Sequence, residues 1–378
     1  MTAPVTAAGP VQGSGPATAI VVGTGLIGTS VALALRERGT AVWLTDADPG
    51  AARLAADLGA GQILADGGPP GRAADIAVLA VPPAAVAPAL ARAQENGLAR
   101  CYTDVASVKQ QPLVAARNLN CDLSTFVPGH PMSGRERSGP AAARADLFAG
   151  RPWAICPVPE TAPECVAAVA DLARACGGVP VQMPAAEHDQ WVAIVSHAPH
   201  LVAVAMAAQC REAPDGALAL AGPGLRDVTR IAAGDPALWT EILAANAGSV
   251  QVVLAKVVGL LSAAAVVLAD VAAGDLDAAS QLTALLEAAR NGVARIPGKQ
   301  GGPAPDYSIV QVVIGDTPGE LARLFAAAGD ARINIEDVRI EHSPELPVGV
   351  AELSVRPDAA APLAAALAAR GWPVASPP

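Results

Sequence analysis

Ala19-Ile-Val-Val-Gly23-Thr-Gly25-Leu-Ile-Gly28-Thr-Ser30 constrains the fold more than any other stretch of this 378-residue chain. An apolar run with the composition of a buried strand meets three glycines at G-x-G-x-x-G spacing, and a helix-compatible segment follows. Gly23 permits the tight turn, Gly25 lets backbone approach a pyrophosphate, and Gly28 allows close packing of helix on strand. The helix N-terminus then faces the negative charge. Asp46, ending the next strand, can accept hydrogen bonds from ribose hydroxyls and would repel a 2′-phosphate, which favours NAD over NADP. Asp48 takes that role if the strand runs longer.

From Thr18 to Pro184, short Val/Ile/Leu runs alternate with Ala-rich helical stretches. Strands are expected at Ala19–Gly23, Ala41–Asp46, Asp75–Val81 and Cys101–Asp104, with two more at Pro152–Cys156 and Val179–Met183 around a helix near Pro163–Cys176. The pattern predicts an α/β Rossmann-type domain over 18–184, its parallel sheet covered on both faces. Over 185–297 strand signals vanish and an all-α domain is expected. Asp235-Pro236 reads there as a helix start, with an acceptor at N-cap and proline at N1. Its apolar helices, such as Val250–Val271, exceed what one short domain can hide, which points to a shared homodimer core. The linker falls at 298–305. From 306 to 378 the order strand, helix, strand, strand, helix, strand (Tyr307–Ile314, Pro318–Ala328, Arg332–Glu341, Gly349–Arg356, Ala359–Arg370, Trp372–Ala375) predicts a ferredoxin-like βαββαβ domain.

A formal charge of −10 argues against nucleic acid and anionic membranes as partners. Residues 1–17 lack the apolar core and basic start of a secretory signal and read as a disordered tail. Val257–Ala269, the most apolar segment, is too short to span a bilayer and reads as a buried helix. A cytoplasmic location follows. The six cysteines, with neither C-x-x-C pairs nor zinc spacing, are expected as reduced, packed thiols.

Four of the five histidines fall in two short motifs. His130 stands in Gly129-His-Pro-Met-Ser-Gly134; His188, His197 and His200 share one helical stretch. No metal is expected there, because the spacing is not H-E-x-x-H and His188 and His197 would face opposite sides of a straight helix. Pro199 frees the carbonyl of Val195 and should kink that helix. Asp104-Val-Ala-Ser107-Val-Lys109 follows a strand and so belongs at the carboxyl edge of the sheet, where α/β ligands bind.

With these motifs the chain resembles the prephenate and arogenate dehydrogenase family over about residues 18–295. The glycine motif of 23–30, Val81-Pro82, Asp104-x-x-Ser107-Val-Lys109, His130-Pro-Met-Ser-Gly134, His188-Asp189, Ser196-His197-x-Pro199-His200 and Asp227-x-Thr229-Arg230 with Trp239 carry the resemblance. It implies NAD as cofactor at Gly23, Gly25, Leu26, Ile27, Gly28, Asp46, Val81 and Pro82. It implies His130 as the catalytic histidine that accepts a hydrogen bond from the substrate hydroxyl. Ser107 would orient that histidine and touch substrate, Arg230 would bind the substrate carboxylate, and His200 and His188 would line the pocket. The substrate implied is prephenate, oxidised and decarboxylated to 4-hydroxyphenylpyruvate on the route to tyrosine.

The chemistry suits these residue types. The ring carbon bearing the hydroxyl gives up hydride, so its O–H must lose a proton, and a neutral imidazole with a pKa near working pH can take it. A guanidinium holds a carboxylate by two parallel bonds. His197 can equally serve only to satisfy bonding at the kink, and Asp227 with Arg230 can be a surface ion pair. Whether Arg135, Glu136 and Arg137 reach the substrate stays open.

Asp316-Thr317-Pro318-Gly319-Glu320-Leu321 and Ile333-Asn-Ile-Glu-Asp337 resemble the ACT regulatory domain, which implies an amino-acid effector bound near 316–321. Thr317 is expected to cap the helix with Glu320 at N3. The same core could serve arogenate, or 4-amino-4-deoxyprephenate. Phosphoglycerate and homoserine dehydrogenases share such an architecture but would not need the His-Pro-Met-Ser-Gly and histidine-helix motifs. A non-catalytic NAD-binding regulator is the alternative from another class; it would bind NAD and ignore His130→Asn.

Overall fold

The computed structural model describes residues 15–65, 73–134, 138–297, 307–342 and 348–375. They form two compact units, 1–258 and 259–378. The first begins β1 (Thr18–Val22), α1 (Leu26–Glu37), β2 (Ala41–Thr45), α2 (Pro49–Asp57), β3 (Gln62–Ile63), β4 (Ala74–Leu79), α3 (Pro83–Glu95), β5 (Ala99–Asp104), α4 (Gln110–Asn118) and β6 (Phe126–Val127). These strands make a parallel sheet in the order β3-β2-β1-β4-β5-β6. The order reverses between β1 and β4, the place where doubly wound sheets open a crevice.

Both faces of that sheet are covered, which explains the continuous apolar runs. Val21, Val42, Leu44, Ile76 and Val78 pack one way against α1 residues such as Val31 and Leu35. Ile20, Ala77, Leu79 and Tyr102 point the other way, onto Val86, Ala87 and Leu90 of α3.

Next come β7 (Gly129–Pro131), β8 (Pro152–Ile155), α5 (Pro163–Ala175) and β9 (Val179–Gln182). The strands expected at 152–156 and 179–183 do not extend the main sheet. They join His130's strand in a separate three-stranded sheet, antiparallel between β7 and β8 and parallel between β8 and β9. Thiols were expected at all six cysteines, but Cys101 on β5 and Cys165 on α5 form a disulfide across a sequence separation of 64. Packing of α5 on the sheet brings two distant cysteines together, which sequence spacing could not reveal.

The helical part runs α6 (Ala185–Val192), a π-helical turn (Ala193–His197), α7 (Ala198–Gln209), α8 (Asp215–Leu218), α9 (Pro223–Arg230), α10 (Pro236–Ala245) and α11 (Ala247–Ala272). No compact-unit boundary falls at 184/185. The Asp189 carboxylate of α6 accepts from the Lys109 and Gln110 backbone N–H at the start of α4, so helices and sheet are knit together. The reading of Val257–Ala269 as short and buried is corrected. α11 has 26 residues and, like the stretch Ala185–Gln209, is long and apolar enough to cross a membrane by length and composition. Leu260, Leu261 and Val266 are more than 60% exposed in the single chain.

Residues 15–17, assigned to the tail, are docked: Thr40 Oγ1 donates to the Pro16 carbonyl at 2.8 Å and Ala41 N–H to that of Ala17. Residues 1–14, the linker 298–305 and the charge run 135–137 lie outside the described residues.

The second unit holds α12 (Leu276–Ala294), then β10 (Ser308–Gly315), α13 (Glu320–Asp330), β11 (Asp337–His342), β12 (Val348–Val355) and α14 (Pro357–Ala369). Its antiparallel sheet runs β10-β12-β11. Alternate residues Val310, Val312 and Ile314 pack with Leu353, Val355, Leu324 and Leu363 on one face, so the helices cover one side only. The sixth element expected, a strand at 372–375, is reduced to a bridge between Val374 and Val312. The strand expected from Arg332 begins at Asp337, after a turn in which Arg332 takes φ 56°. The Thr317–Glu320 capping box is absent. Gly319, at φ 90°, is the residue preceding the helix, so α13 starts beyond Pro318 and Glu320 cannot stand at N3.

Candidate active site

At the glycine loop the backbone leaves little choice of residue. A Cβ on Gly23 (φ 96°) would stand 2.2 Å from the Ala80 carbonyl oxygen, and one on Gly28 would stand 1.9 Å from the Gly23 oxygen. Both glycines close the turn onto β4. Gly25, by contrast, precedes α1 and has nothing within 4 Å of where its Cβ would be, which leaves room for a pyrophosphate. Asp46 closes the loop from below, accepting from Thr24 N–H at 2.5 Å and Thr24 Oγ1 at 2.8 Å. Its other oxygen accepts from Asp48 N–H at 2.9 Å, while Asp48 itself caps α2 through Gly50 N–H. The carboxylate at the end of β2 is therefore Asp46, an acceptor suited to the hydroxyls of an unphosphorylated ribose.

At the carboxyl ends of β5 and β7 lies a buried ion pair. Lys109 Nζ binds Asp104 Oδ2 and donates to the Gly129 carbonyl at 2.5 Å, with both side chains fully buried. Asp104 also accepts from Ala106 and Gly129 N–H. Burial pushes the Asp104 carboxyl above its ordinary value, and Lys109 pulls it back. This network anchors the strand of His130 to the loop that carries Ser107.

His130 Nδ1 lies 2.9 Å from His188 Nε2, with the rings edge to face at 72°. His188 Nδ1 lies 2.8 Å from Asp189 Oδ1. Burial first, then His188, Lys109 and His197, hold the His130 pKa well below its ordinary value, so the imidazole is neutral at pH 7.

The helix carrying the other histidines shifts register where Pro199 lacks an N–H. Ala198 N–H bonds back to Ala193 O, a π-type bond that replaces the expected simple kink. His197 consequently turns toward the glycine loop's cavity, its Nδ1 3.1 Å from Asn246 Nδ2, which also donates to the Asp189 carbonyl at 2.7 Å. Burial lowers the His197 pKa to about 4. His200 instead stacks on Trp239 with centroids 3.5 Å apart, and its Nδ1 is buried with no hydrogen-bond partner.

One cavity of about 620 Å³ collects most of these features. Gly25, Leu26 and Ile27 bound it together with Val81 and Pro82; Val105, Ser107, His130 and Met132 form the sheet edge; Ser196, His197, Asp235 and Trp239 form the helical wall. Gly23, Gly28 and Asp46 support it from behind. His188 does not line it. It stands behind His130 and borders a smaller apolar cavity with Met132, Trp191 and Val195. His200 is likewise outside the lining, covered by Trp239. Arg230 ends α9 on an exposed surface and is not among the lining residues either, because α9 packs on α7 rather than on the sheet edge. Asp316–Leu321 belongs to the second unit.

Sequence reading left Asn246 and the Asp104–Lys109 pair without roles. A lone amide where two apolar helices meet was the available signal for Asn246, and a lysine five residues after a strand-end aspartate for the pair.

Family models match two adjoining stretches: "Prephenate dehydrogenase, nucleotide-binding domain" over residues 31–182 and "Prephenate dehydrogenase, dimerization domain" over 184–281. The chain is 40% identical over 364 residues, 95% of it and 99% of the relative, to a probable prephenate dehydrogenase of Streptomyces niveus. A prephenate dehydrogenase of Bacillus subtilis is 28% identical, with 90% of this chain and 92% of that one covered. Among solved structures, a prephenate dehydrogenase from Aquifex aeolicus in complex with hydroxyphenyl propionate and NAD⁺ superposes with a TM-score of 0.63. It is 24% identical, and the match covers 73% of this chain and 96% of that one. The glycine loop, the histidine at the sheet edge and the following helices thus occur in a chain that belongs to the prephenate dehydrogenase family.

Proposed function

We propose that the chain is an NAD-dependent prephenate dehydrogenase, converting prephenate to 4-hydroxyphenylpyruvate by oxidative decarboxylation. The observation that carries this reading is one cavity with a dinucleotide loop on one side and a neutral, buried imidazole on the other. The glycine loop and Val81-Pro82 would hold NAD⁺, which would supply the hydride acceptor for the ring carbon that bears the hydroxyl. His130 takes the hydroxyl proton through Nε2, since Nδ1 is engaged with His188. Ser107 lies on the same wall and holds the hydroxyl against the imidazole. The ring carboxylate then leaves as CO₂, and aromatisation of the ring drives the step. Asp46 selects NAD by holding the ribose hydroxyls.

Arg230 is assigned to the substrate carboxylate on the strength of its motif. In the single chain it stands exposed at the end of α9, outside the cavity lining. The homodimer is supported by the family's dimerization domain over 184–281 and by the uncovered apolar surface of α11. Residues 306–378 are proposed as an ACT-type domain binding an aromatic amino acid near Asp316–Leu321, where the first N–H groups of α13 can receive a carboxylate. The location proposed is the cytoplasm, where NAD is supplied.

NADH formation from prephenate, with arogenate and added tyrosine as further arms, tests these assignments. Turnover of prephenate should fall about 10²-fold or more in His130→Asn with NAD affinity retained, and Arg230→Ala should raise KM. Ordinary turnover in both variants would remove the site assignment. Faster turnover of arogenate would move the substrate to its amino analogue, and tyrosine indifference would end the effector proposal.

A further inference from the structure

We propose that Asp189 and His188 are positioning residues that hold His130 with its proton on Nδ1 and its lone pair on Nε2, and that they share the positive charge once Nε2 has taken a proton. The proposal rests on His130 being the base that faces substrate.

The hydrogen bonds leave one consistent neutral arrangement. Asp189 is a carboxylate held by two backbone donors, Lys109 N–H on Oδ1 at 2.8 Å and Gln110 N–H on Oδ2 at 2.9 Å. These donors mark the start of α4, where the helix dipole also favours a negative charge. A carboxylate only accepts, so the 2.8 Å contact to His188 Nδ1 requires a proton on that nitrogen. In a neutral His188 the proton on Nδ1 leaves Nε2 as an acceptor. The 2.9 Å contact to His130 then requires the proton on His130 Nδ1. The remaining ring nitrogen of His130, Nε2, is the basic one, and His130 lines the cavity.

Three features favour this chain over simple packing. His188 and Asp189 are 1% and 2% exposed, so neither is held by solvent. Asn246 ties the Asp189 carbonyl to His197, which fixes α6 against the start of α11. His188, Lys109 and His197 act directly on His130, and Asp104, Asp189 and the Cys156 thiol belong to the same buried cluster. Only Asp189 is a carboxylate without a lysine already bound to it. When the substrate O–H bond breaks and Nε2–H forms, the Nδ1 proton can move along its hydrogen bond to His188 Nε2. The cation then lies beside Asp189, one ring back from the cavity that His130 lines. The logic is that of a carboxylate orienting a catalytic imidazole, with a second imidazole interposed.

Five histidines make the test tractable. The full chain, labelled with ¹⁵N-histidine and free of ligand, is examined by NMR at pH 7. His130 and His188 should both be neutral with the proton on Nδ1. His188→Leu removes the acceptor. His130 should then lose its fixed tautomer, and kcat for prephenate should fall about 10²-fold with KM changed little. His188→Gln restores an acceptor oxygen and should recover the tautomer and part of kcat. A wild-type His130 protonated on Nε2, or a charged His188, overturns the proposal even if neither variant folds. So does a His188→Leu enzyme of normal tautomer and rate. Because the tautomer is read without substrate, the expected tautomer in a protein that fails to oxidise prephenate would instead count against the proposed function.

Discussion

His197 illustrates how a buried histidine couples this site to pH. Its folded pKa of about 4 lies below the ordinary 6.5, so between those values the unfolded chain binds a proton that the native state refuses. Stability conferred by the neutral ring is complete above 6.5 and is lost as pH falls toward 4, at about 1.4 kcal/mol per pH unit for one group. His130, depressed in the same direction, adds to the slope. Urea unfolding at pH 7.0 and 5.5 should show this loss, and His197→Gln should flatten it; equal slopes would mean that the ring is not buried neutral. At this scale the placement of the glycine loop, Ser107 and His130 around one cavity, with Asp46 bonded to that loop, was legible, because each sits in a motif tied to the carboxyl edge of the sheet. His188 and His200 were legible as members of the cluster but not as residues behind the wall. That distinction depends on the π-type turn at 193–197, and a missing N–H at Pro199 does not specify how a helix repairs its bonding. Asp189 was quoted within a motif, yet its partners are backbone N–H groups 79 and 80 residues away, which carry no sequence signal.

Among the elements, the long strands of the parallel sheet were readable because both faces are covered and runs such as 19–22 and 76–79 are continuously apolar. Two-residue β3 and β6 and three-residue β7 are too short for any periodicity. The separate sheet of β7, β8 and β9 escaped for a related reason: composition signals a strand but not the edge it joins. The disulfide between β5 and α5 was invisible in the same way. Closing a loop of this length restricts the unfolded chain by up to about 4 kcal/mol on a loop-entropy estimate. Oxidised protein should therefore present four reactive thiols on unfolding and lose stability on reduction, whereas Cys165→Ala should be insensitive to reductant. Six reactive thiols in protein purified without reductant would show that the pair stays reduced, as usual in a cytoplasm. The late start of α13 has a backbone cause: Gly319 adopts a left-handed conformation, so Pro318 falls outside the helix that it was expected to open.

For the whole molecule, the succession of strand-rich and helical stretches was readable from changes in the apolar pattern. Where the chain divides into compact units was not, because the boundary falls within α11 rather than at a linker. That helix has a further consequence. Leu260, Leu261, Val266 and Leu268, each more than half exposed in one chain, would cost about 1.5–3 kcal/mol apiece if left in water rather than covered. If two copies cover this surface on each other, as proposed, folding and pairing become one equilibrium, and heat resistance depends on how much protein is in the tube. The midpoint of thermal unfolding should climb by several degrees over a hundredfold rise in concentration, whereas a midpoint independent of concentration would mean that a single copy shields its own grease. In a dilute cell extract the enzyme would then come apart and unfold in a single step, at a temperature that a concentrated stock survives.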